Sequence, residues 1–153
     1  PSPPSRPRTP AGAASPPTMN LRFEMQTVTI GAPGPWATTN QRHHWTVRNR
    51  ITQAWRTAAA WRARADRIRP VTGPVHIEAT ICRADSRRFD LDGHAPTVKA
   101  CIDGLRDAGV LVEDDMRHMP TLTLTAGPKT LLGCVVLTIR PNQMTTPTEG
   151  DPR

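Results

Sequence analysis

The sequence contains little cysteine and few aromatic residues. Its 153 residues include three cysteines, two phenylalanines and no tyrosine. Cys82, Cys101 and Cys134 are widely spaced and form no Cys-x-x-Cys pair, which argues against a disulfide framework and against a zinc site. Each lies in an apolar run, so we expect buried, reduced cysteines in an intracellular protein.

Long apolar runs are also missing, so we expect no membrane span and no signal peptide. Residues 1–18 contain seven of the 17 prolines and no large apolar residue, which predicts a disordered extension. Residues 141–153 are polar and predict a flexible tail. We therefore expect one folded domain over residues 19–140 in a cytoplasmic protein.

The positive charge is concentrated in one part of the chain. The net charge is +7, and all but two of the 20 basic residues are arginine. Eight arginines lie between Arg42 and Arg69, where Asp66 is the only acid. Because the planar guanidinium binds two phosphate oxygens at once, this block favours a polyanionic partner. The composition of a GC-rich genome is the alternative explanation.

The hydrophobic pattern predicts an α+β fold. Alternation predicts strands over 24–31 and Val75–Cys82, and later over Thr121–Ala126 and Leu132–Arg140, with a turn at 127–129 between the last two. A first helix is predicted from near Thr46 to Pro70, and a second from about Pro96 to a C-cap at Gly109. The order β-α-β-α-β-β predicts a mixed sheet of about four strands with two helices packed on it.

Helical spacing also predicts which face of the first helix is buried. The predicted stripe consists of Val47, Ile51, Ala54, Trp55, Ala58, Trp61, Ala65 and Ile68. Trp55 and Trp61 are therefore expected in the core. Trp36 and Trp45 precede this helix; they either pack against the edge of the sheet, which we favour, or stack on unpaired bases.

The acidic residues after the second strand are the best candidates for chemistry. Asp90 and Asp92 are two residues apart, and in an extended backbone such residues project to the same side. Two carboxylates so placed repel each other unless a cation lies between them, and Mg²⁺ prefers such oxygen ligands. Asp114 or Asp115 could add a third carboxylate. Alternatively, the pair faces solvent or caps a helix.

Several motifs together resemble one enzyme family. They are Asp-Leu-Asp at 90–92, Ala-Pro-Thr-Val-Lys-Ala at 95–100, Asp-Gly-Leu at 103–105, Asp-Ala-Gly at 107–109 and Glu-Asp-Asp at 113–115. The combination is similar to the RusA family of Holliday-junction resolvases. Residues 35–45 resemble the entry loop of its actinobacterial and phage branch. The resemblance runs from about Thr27 to Ile139.

This resemblance implies a RusA-like fold and a homodimeric, Mg²⁺-dependent endodeoxyribonuclease, with Mn²⁺ as the alternative metal. Such a bacterial or phage enzyme nicks four-way DNA junctions symmetrically in recombination and repair. Asp90, Asp92 and Asp115 match the metal-binding acids, with Asp114 as the alternative third ligand. Lys99 matches the lysine of the catalytic centre. The sequence departs from the family at Gly93-His94, where asparagine usually follows the second acid.

Further residues are assigned to DNA binding or left with two interpretations. The predicted DNA contacts are Asn40, Arg42, His43, Arg48, Arg87 and Arg88. His43 and His44 could instead cap the start of the helix, and His94 is expected to be a solvent-facing loop residue rather than a metal ligand or a proton shuttle. A DNA-binding protein without catalysis, or a nuclease of forks and flaps, are the alternative functions.

Overall fold

The computed structural model describes residues 25–112, 119 and 121–142. Its elements, in chain order, are β1 (Gln26–Gly31), α1 (Trp45–Ala65), β2 (Val75–Cys82), a short 3-10 helix (Asp92–His94), α2 (Ala95–Asp107), β3 (Thr121–Ala126) and β4 (Cys134–Pro141). The bounds of β2 and β3 agree with those predicted from alternation. The extension at 1–18 and the predicted tail beyond Asn142 lie outside the described residues.

The four strands form a single mixed sheet in the order β1-β4-β2-β3. Strand β4 is antiparallel to both β1 and β2, whereas β3 is parallel to β2. The α+β fold predicted from the sequence is therefore confirmed. The two final strands are not neighbours, because β2 lies between them.

The connection from β3 to β4 crosses the end of β2 at Gly127. The Gly127 amide donates to the carbonyl of Ile81 at 2.9 Å. A Cβ atom at this position would lie 2.5 Å from the sulfur of Cys82 and 2.6 Å from a methyl carbon of Thr80. Only glycine allows the backbone to pass this closely over the strand end.

One face of the sheet carries the core and is covered by the helices. Strand β2 alternates between fully buried residues and half-buried polar residues, as its sequence predicts. Ile77 and Leu137 of the sheet form one hydrophobic cluster with Trp55 of α1 and with Val98 and Leu105 of α2. The side chain of Trp55 also donates a hydrogen bond to the carbonyl of Pro35 at 2.9 Å. Trp55 is therefore a core residue, as predicted.

The predicted buried stripe of α1 is partly wrong. The buried helix residues are Ile51, Trp55, Ala59, Ala60 and Ala63, whereas Val47, Ala54, Trp61 and Ala65 are exposed. The expectation that Trp61 lies in the core fails, since 65% of it is exposed. The buried face is shifted because α1 packs against α2 as well as against the sheet.

The two helices come into very close contact at Gly104 of α2. A Cβ atom there would lie 2.7 Å from the Cβ of Ala59 and closer still to the carbonyl oxygen of Arg56. Nearby, the guanidinium of Arg56 donates two hydrogen bonds to the carboxylate of Asp107, at 2.5 and 2.7 Å. This contact lowers the pKa of Asp107. Small residues at the contact, flanked by an ion pair, thus fix α2 against α1.

None of the described helices is long and apolar enough to cross a membrane.

Gly104→Ala is expected to destabilise the fold. The added methyl group would have to push the backbone of α1 away from α2, and overpacking of this kind typically costs about 1–3 kcal/mol. Thermal denaturation of the variant should show a lower melting temperature. Gly34→Ala is the matched control, because a Cβ at Gly34 meets nothing within 4 Å. Equal melting temperatures for the two variants would contradict the close contact.

Candidate metal centre

Two loops meet at the start of α2. One connects β1 to α1 and the other connects β2 to α2. The buried hydroxyl of Thr97, in the first turn of α2, accepts a hydrogen bond from the amide of Ala37 at 3.0 Å and donates one to its carbonyl at 2.7 Å. The amide of Thr39 donates to the carbonyl of Gly93 at 3.0 Å. These bonds hold the β1–α1 loop beside the residues that carry the predicted acids.

Asp90 and Asp92 lie at the tight turn where the β2–α2 loop enters α2. Both are exposed, and Asp92 is the first residue of the 3-10 helix. Leu91 between them has helical dihedral angles, φ −61° and ψ −45°. The prediction that the two acids share one side of an extended strand is therefore wrong. Their proximity comes from a turn, in which one carboxylate oxygen of Asp92 accepts from the amide of Gly93 at 2.9 Å.

The electrostatic environment sets Asp90 and Asp92 apart from the other acids. Seven Asp and Glu residues lie in the described part of the chain. Five of them form ion pairs with arginine or lysine, namely Asp66, Glu78, Asp85, Asp103 and Asp107. Asp90 and Asp92 form none with any described residue. The chain has a net charge of +7, yet these two carboxylates, the only described ones without an ion pair to a described residue, lie two residues apart on one turn.

The third predicted metal ligand cannot be placed. Asp114 and Asp115 lie outside the described residues, so the prediction that one of them joins the pair stays a prediction. Within residues 25–112, 119 and 121–142, no three His, Cys, Asp or Glu side chains form a group that could hold a metal ion. The described part of the centre is therefore a pair of carboxylates.

Residues 90–93, which contain both acids, form what we call the acidic turn. Lys99 lies on α2, about one helical turn further along the chain. Its ammonium group donates to the carboxylate of Asp103 at 3.0 Å, an i,i+4 pair, and the Lys99 side chain is 57% exposed. It forms no ion pair with Asp90 or Asp92. The guanidinium of Arg106 approaches the same oxygen of Asp103 at 3.9 Å.

The predicted DNA contacts are all exposed, and they lie on three segments. Asn40, Arg42 and His43 belong to the β1–α1 loop, Arg48 to the first turn of α1, and Arg87 and Arg88 to the β2–α2 loop. Of these residues, Asn40 is the best placed to act together with the acids. A Cβ atom added to Gly93 would lie 3.9 Å from the amide nitrogen of Asn40 and 3.7 Å from the Cβ of Asp90. Asn40 and Asp90 therefore both lie against Gly93.

His44 and Trp36 have structural roles, whereas Trp45 does not pack as expected. The ring of His44 accepts from the amide of Thr46 and so caps α1. Trp36 is half-buried, and its ring packs on that of Trp55 at 4.8 Å between centroids, so it packs inside the fold but against α1, whereas the favoured interpretation is packing against the edge of the sheet. Trp45 is 69% exposed, and the same interpretation is wrong for it.

The position of His94 differs most from the prediction made from the sequence. It was expected to face solvent, but it is 3% exposed. Its ring contacts Trp36 and Phe89 edge-on, with centroid distances of 5.3 and 5.0 Å. One ring nitrogen lies 3.0 Å from the guanidinium of Arg83 and the other 3.0 Å from the carbonyl oxygen of Asp90.

Arg83 was not singled out from the sequence, although it is central to this loop. Its guanidinium pairs with Asp85 at 2.9 Å and lies 5.8 and 5.7 Å from the ring centroids of Trp36 and Phe89. The hydrogen bond from Arg83 lowers the pKa of Asp85. No local signal marks this cluster, because Arg83, His94 and Trp36 are far apart in the sequence.

The protein also has a cavity outside the candidate metal centre. A groove of about 620 Å³ runs between β1 and α1 and is lined by Ile30, Pro33, Ala58, Trp61 and other residues. None of the predicted site residues that the structure describes lines it. Volume alone therefore does not identify the functional site, and the two acids without an ion pair to a described residue are the stronger indication.

No protein-family model and no curated protein sequence matches this chain.

The described residues fit a hard divalent cation. Carboxylate oxygens open to solvent are the ligands that Mg²⁺ prefers, with water completing its coordination shell. Asp90 and Asp92 would hold the ion, and neither has a competing cation among the described residues.

Magnesium is expected to stabilise the protein through Asp90 and Asp92. A ligand that binds only the folded state adds about 1.4 kcal/mol at ten times its Kd, so MgCl₂ should raise the melting temperature above that in NaCl of equal ionic strength. Asp92→Asn should abolish this increase, because it removes a ligand. It should also raise the melting temperature without metal, since one repulsive charge is lost.

Asp66→Asn is the control, because Asp66 is an acid outside the turn, paired with Arg62 at 3.0 Å. It should keep the full response to MgCl₂. A response of equal size in the Asp92→Asn variant would exclude a metal centre at this turn.

Proposed function

We propose that this protein is a Mg²⁺-dependent endonuclease that cuts branched DNA, with the four-way junction as its substrate. The observation that supports the proposal best is that Asp90 and Asp92 form no ion pair with any described residue, although the protein is basic. The resemblance to the RusA family supports the same function. A DNA-binding protein that does not cut would have no use for two exposed acids at the place where DNA phosphates would lie.

Each group of residues has a distinct role in this proposal. Asp90 and Asp92 bind the cation, together with Asp115 or Asp114. When bound, the cation supplies an activated water and stabilises the negative charge that develops on the phosphodiester. Arg87 and Arg88, on the same loop, bind backbone phosphates without reading the sequence. Asn40 and Arg42 contact the substrate from the neighbouring loop, and His43 and Arg48 extend this surface to the start of α1.

The proposed active unit is a homodimer. A four-way junction has approximate two-fold symmetry, and a symmetric dimer would present two metal centres to two opposing strands. Paired nicks at symmetric positions would follow.

The decisive test compares wild type and Asp92→Asn on a synthetic four-way junction, a fork and a linear duplex, with MgCl₂ or with EDTA. Wild type should nick the junction only with MgCl₂. Asp92→Asn should lower the initial rate by more than the 10–100-fold that is typical of residues outside the first coordination shell. Mobility shifts should show undiminished junction binding, because the lost ligand does not contact phosphate directly.

The alternative functions give different results in the same assay. Equal rates on forks and junctions would indicate a general fork or flap nuclease. Binding without any metal-dependent cutting by wild type would indicate a non-catalytic DNA-binding protein. Asp66→Asn should behave as wild type on all three substrates.

Lys99 is expected to contribute to cutting beyond its ion pair with Asp103. Lys99→Ala should strongly lower the initial cleavage rate but barely change the melting temperature, because an i,i+4 pair contributes only about 0.2–0.5 kcal/mol. Lys99→Arg should restore cutting only in part, since a planar guanidinium does not replace a compact ammonium group near a metal.

Asp103→Asn separates the two roles of Lys99, because it breaks the same ion pair and leaves the lysine in place. We expect it to cut at close to the wild-type rate. If Lys99→Ala and Asp103→Asn had the same rate, Lys99 would act only through the ion pair.

A further inference from the structure

The ring of His94 is held between two groups with opposite hydrogen-bonding character. Nε2 lies 3.0 Å from Nη1 of Arg83, and Nδ1 lies 3.0 Å from the carbonyl oxygen of Asp90. A guanidinium can only donate, and a carbonyl oxygen can only accept. Both contacts are therefore satisfied by one form of the ring, in which Nδ1 carries the hydrogen and Nε2 accepts from Arg83.

The surroundings of the ring prevent it from turning. Trp36 and Phe89 contact it edge-on, and Arg83 is held in turn by Asp85 at 2.9 Å. A ring turned by 180° would place carbon atoms against both the carbonyl and the guanidinium. The direction of the Nδ1–H bond is thus fixed by packing.

The backbone of the acidic turn depends on this bond. All four carbonyl groups from Asp90 to Gly93 accept hydrogen bonds. The amides of His94, Ala95 and Thr39 donate to Leu91, Asp92 and Gly93 respectively. The carbonyl of Asp90 is the exception, since its donor is the side chain of His94. His94 therefore binds two successive carbonyls, one with its backbone amide and one with its ring.

We propose that His94 is the positioning residue of the candidate metal centre: its Nδ1–H bond to the Asp90 carbonyl fixes the turn that presents Asp90 and Asp92 to the cation. The proposal rests on the metal-dependent function proposed above. The role belongs to the bond with Asp90, whereas the contact with Arg83 selects the form of the ring that can make it. His94 itself is not a metal ligand, because both of its nitrogens are engaged.

Two conservative variants separate the two contacts. In His94→Asn, the amide nitrogen occupies the position of Nδ1, so the variant can still donate to the Asp90 carbonyl. In His94→Gln, the amide oxygen reaches the position of Nε2, so the variant can still accept from Arg83 but loses the bond to Asp90. Both remove the aromatic ring, so the lost ring contacts are matched between them.

The first measurements use the metal-free protein. The ¹⁵N shifts of the two ring nitrogens should identify the form of His94 that carries its hydrogen on Nδ1. The backbone amide resonances of residues 90–93 should move in His94→Gln and stay close to wild type in His94→Asn. A ring with its hydrogen on Nε2, or equal displacements in both variants, would overturn the proposal.

The second measurement is calorimetric titration with MgCl₂ alone. His94→Gln should weaken binding by about 10–100-fold, the range typical of residues that orient metal ligands. His94→Asn should bind Mg²⁺ as tightly as wild type does. The melting temperatures of the two variants should be similar. Equal Mg²⁺ affinities in the two variants would overturn the proposal.

The nuclease function and the positioning role of His94 can fail independently of each other. If wild type binds Mg²⁺ in this His94-dependent manner but leaves four-way junctions, forks and duplexes uncut, the positioning role stands and the nuclease function fails. If wild type cuts junctions and His94→Gln binds Mg²⁺ as tightly as wild type does, the nuclease function stands and the positioning role fails.

Discussion

The hydroxyl of Thr97 makes two hydrogen bonds to one residue of the opposite loop, and the geometry of the candidate metal centre depends on them. Thr97 is fully buried, and its hydroxyl both accepts from the amide and donates to the carbonyl of Ala37. Losing either bond would leave a buried polar group unpaired, which costs about 1–3 kcal/mol. Since α2 begins two residues earlier, the bonds fix the β1–α1 loop to the helix that follows the acidic turn.

The sequence was sufficient to predict a mixed sheet of about four strands with two helices packed on it, though not the order of the strands, for a physical reason. Strand β2 alternates between core and polar residues, so the polarity of each residue indicates which face of the sheet it lies on. Helix α1 is more ambiguous, because it packs on the sheet and on α2 at once. At Gly104 the helices are so close that a Cβ on this residue would lie 2.7 Å from the Cβ of Ala59, whereas Trp61 is exposed. A pattern read from large apolar residues overlooks a buried face made of alanines.

The candidate site was predictable only as far as its chemistry is local. The spacing of Asp90 and Asp92, two residues apart, indicates a pair of acids, but it does not indicate that a turn rather than extended backbone carries them. The sequence does not indicate the burial of His94 or the role of Arg83, because their environments are built by contacts across the fold. The ring of Trp36, 58 positions before His94, covers both of them. No spacing in the sequence can indicate that enclosure.

Two like charges on one rigid turn oppose folding, and the neighbouring contacts must offset that repulsion when no cation is bound. Here every carbonyl from Asp90 to Gly93 is hydrogen-bonded, so the turn cannot relax by rotating its peptide groups. The carboxylates themselves stay exposed and form no ion pair with a described residue. A site preorganised in this way pays little for ordering its ligands when a cation binds, because the ordering has occurred on folding. The buried His94 and the exposed acids are thus two parts of one arrangement.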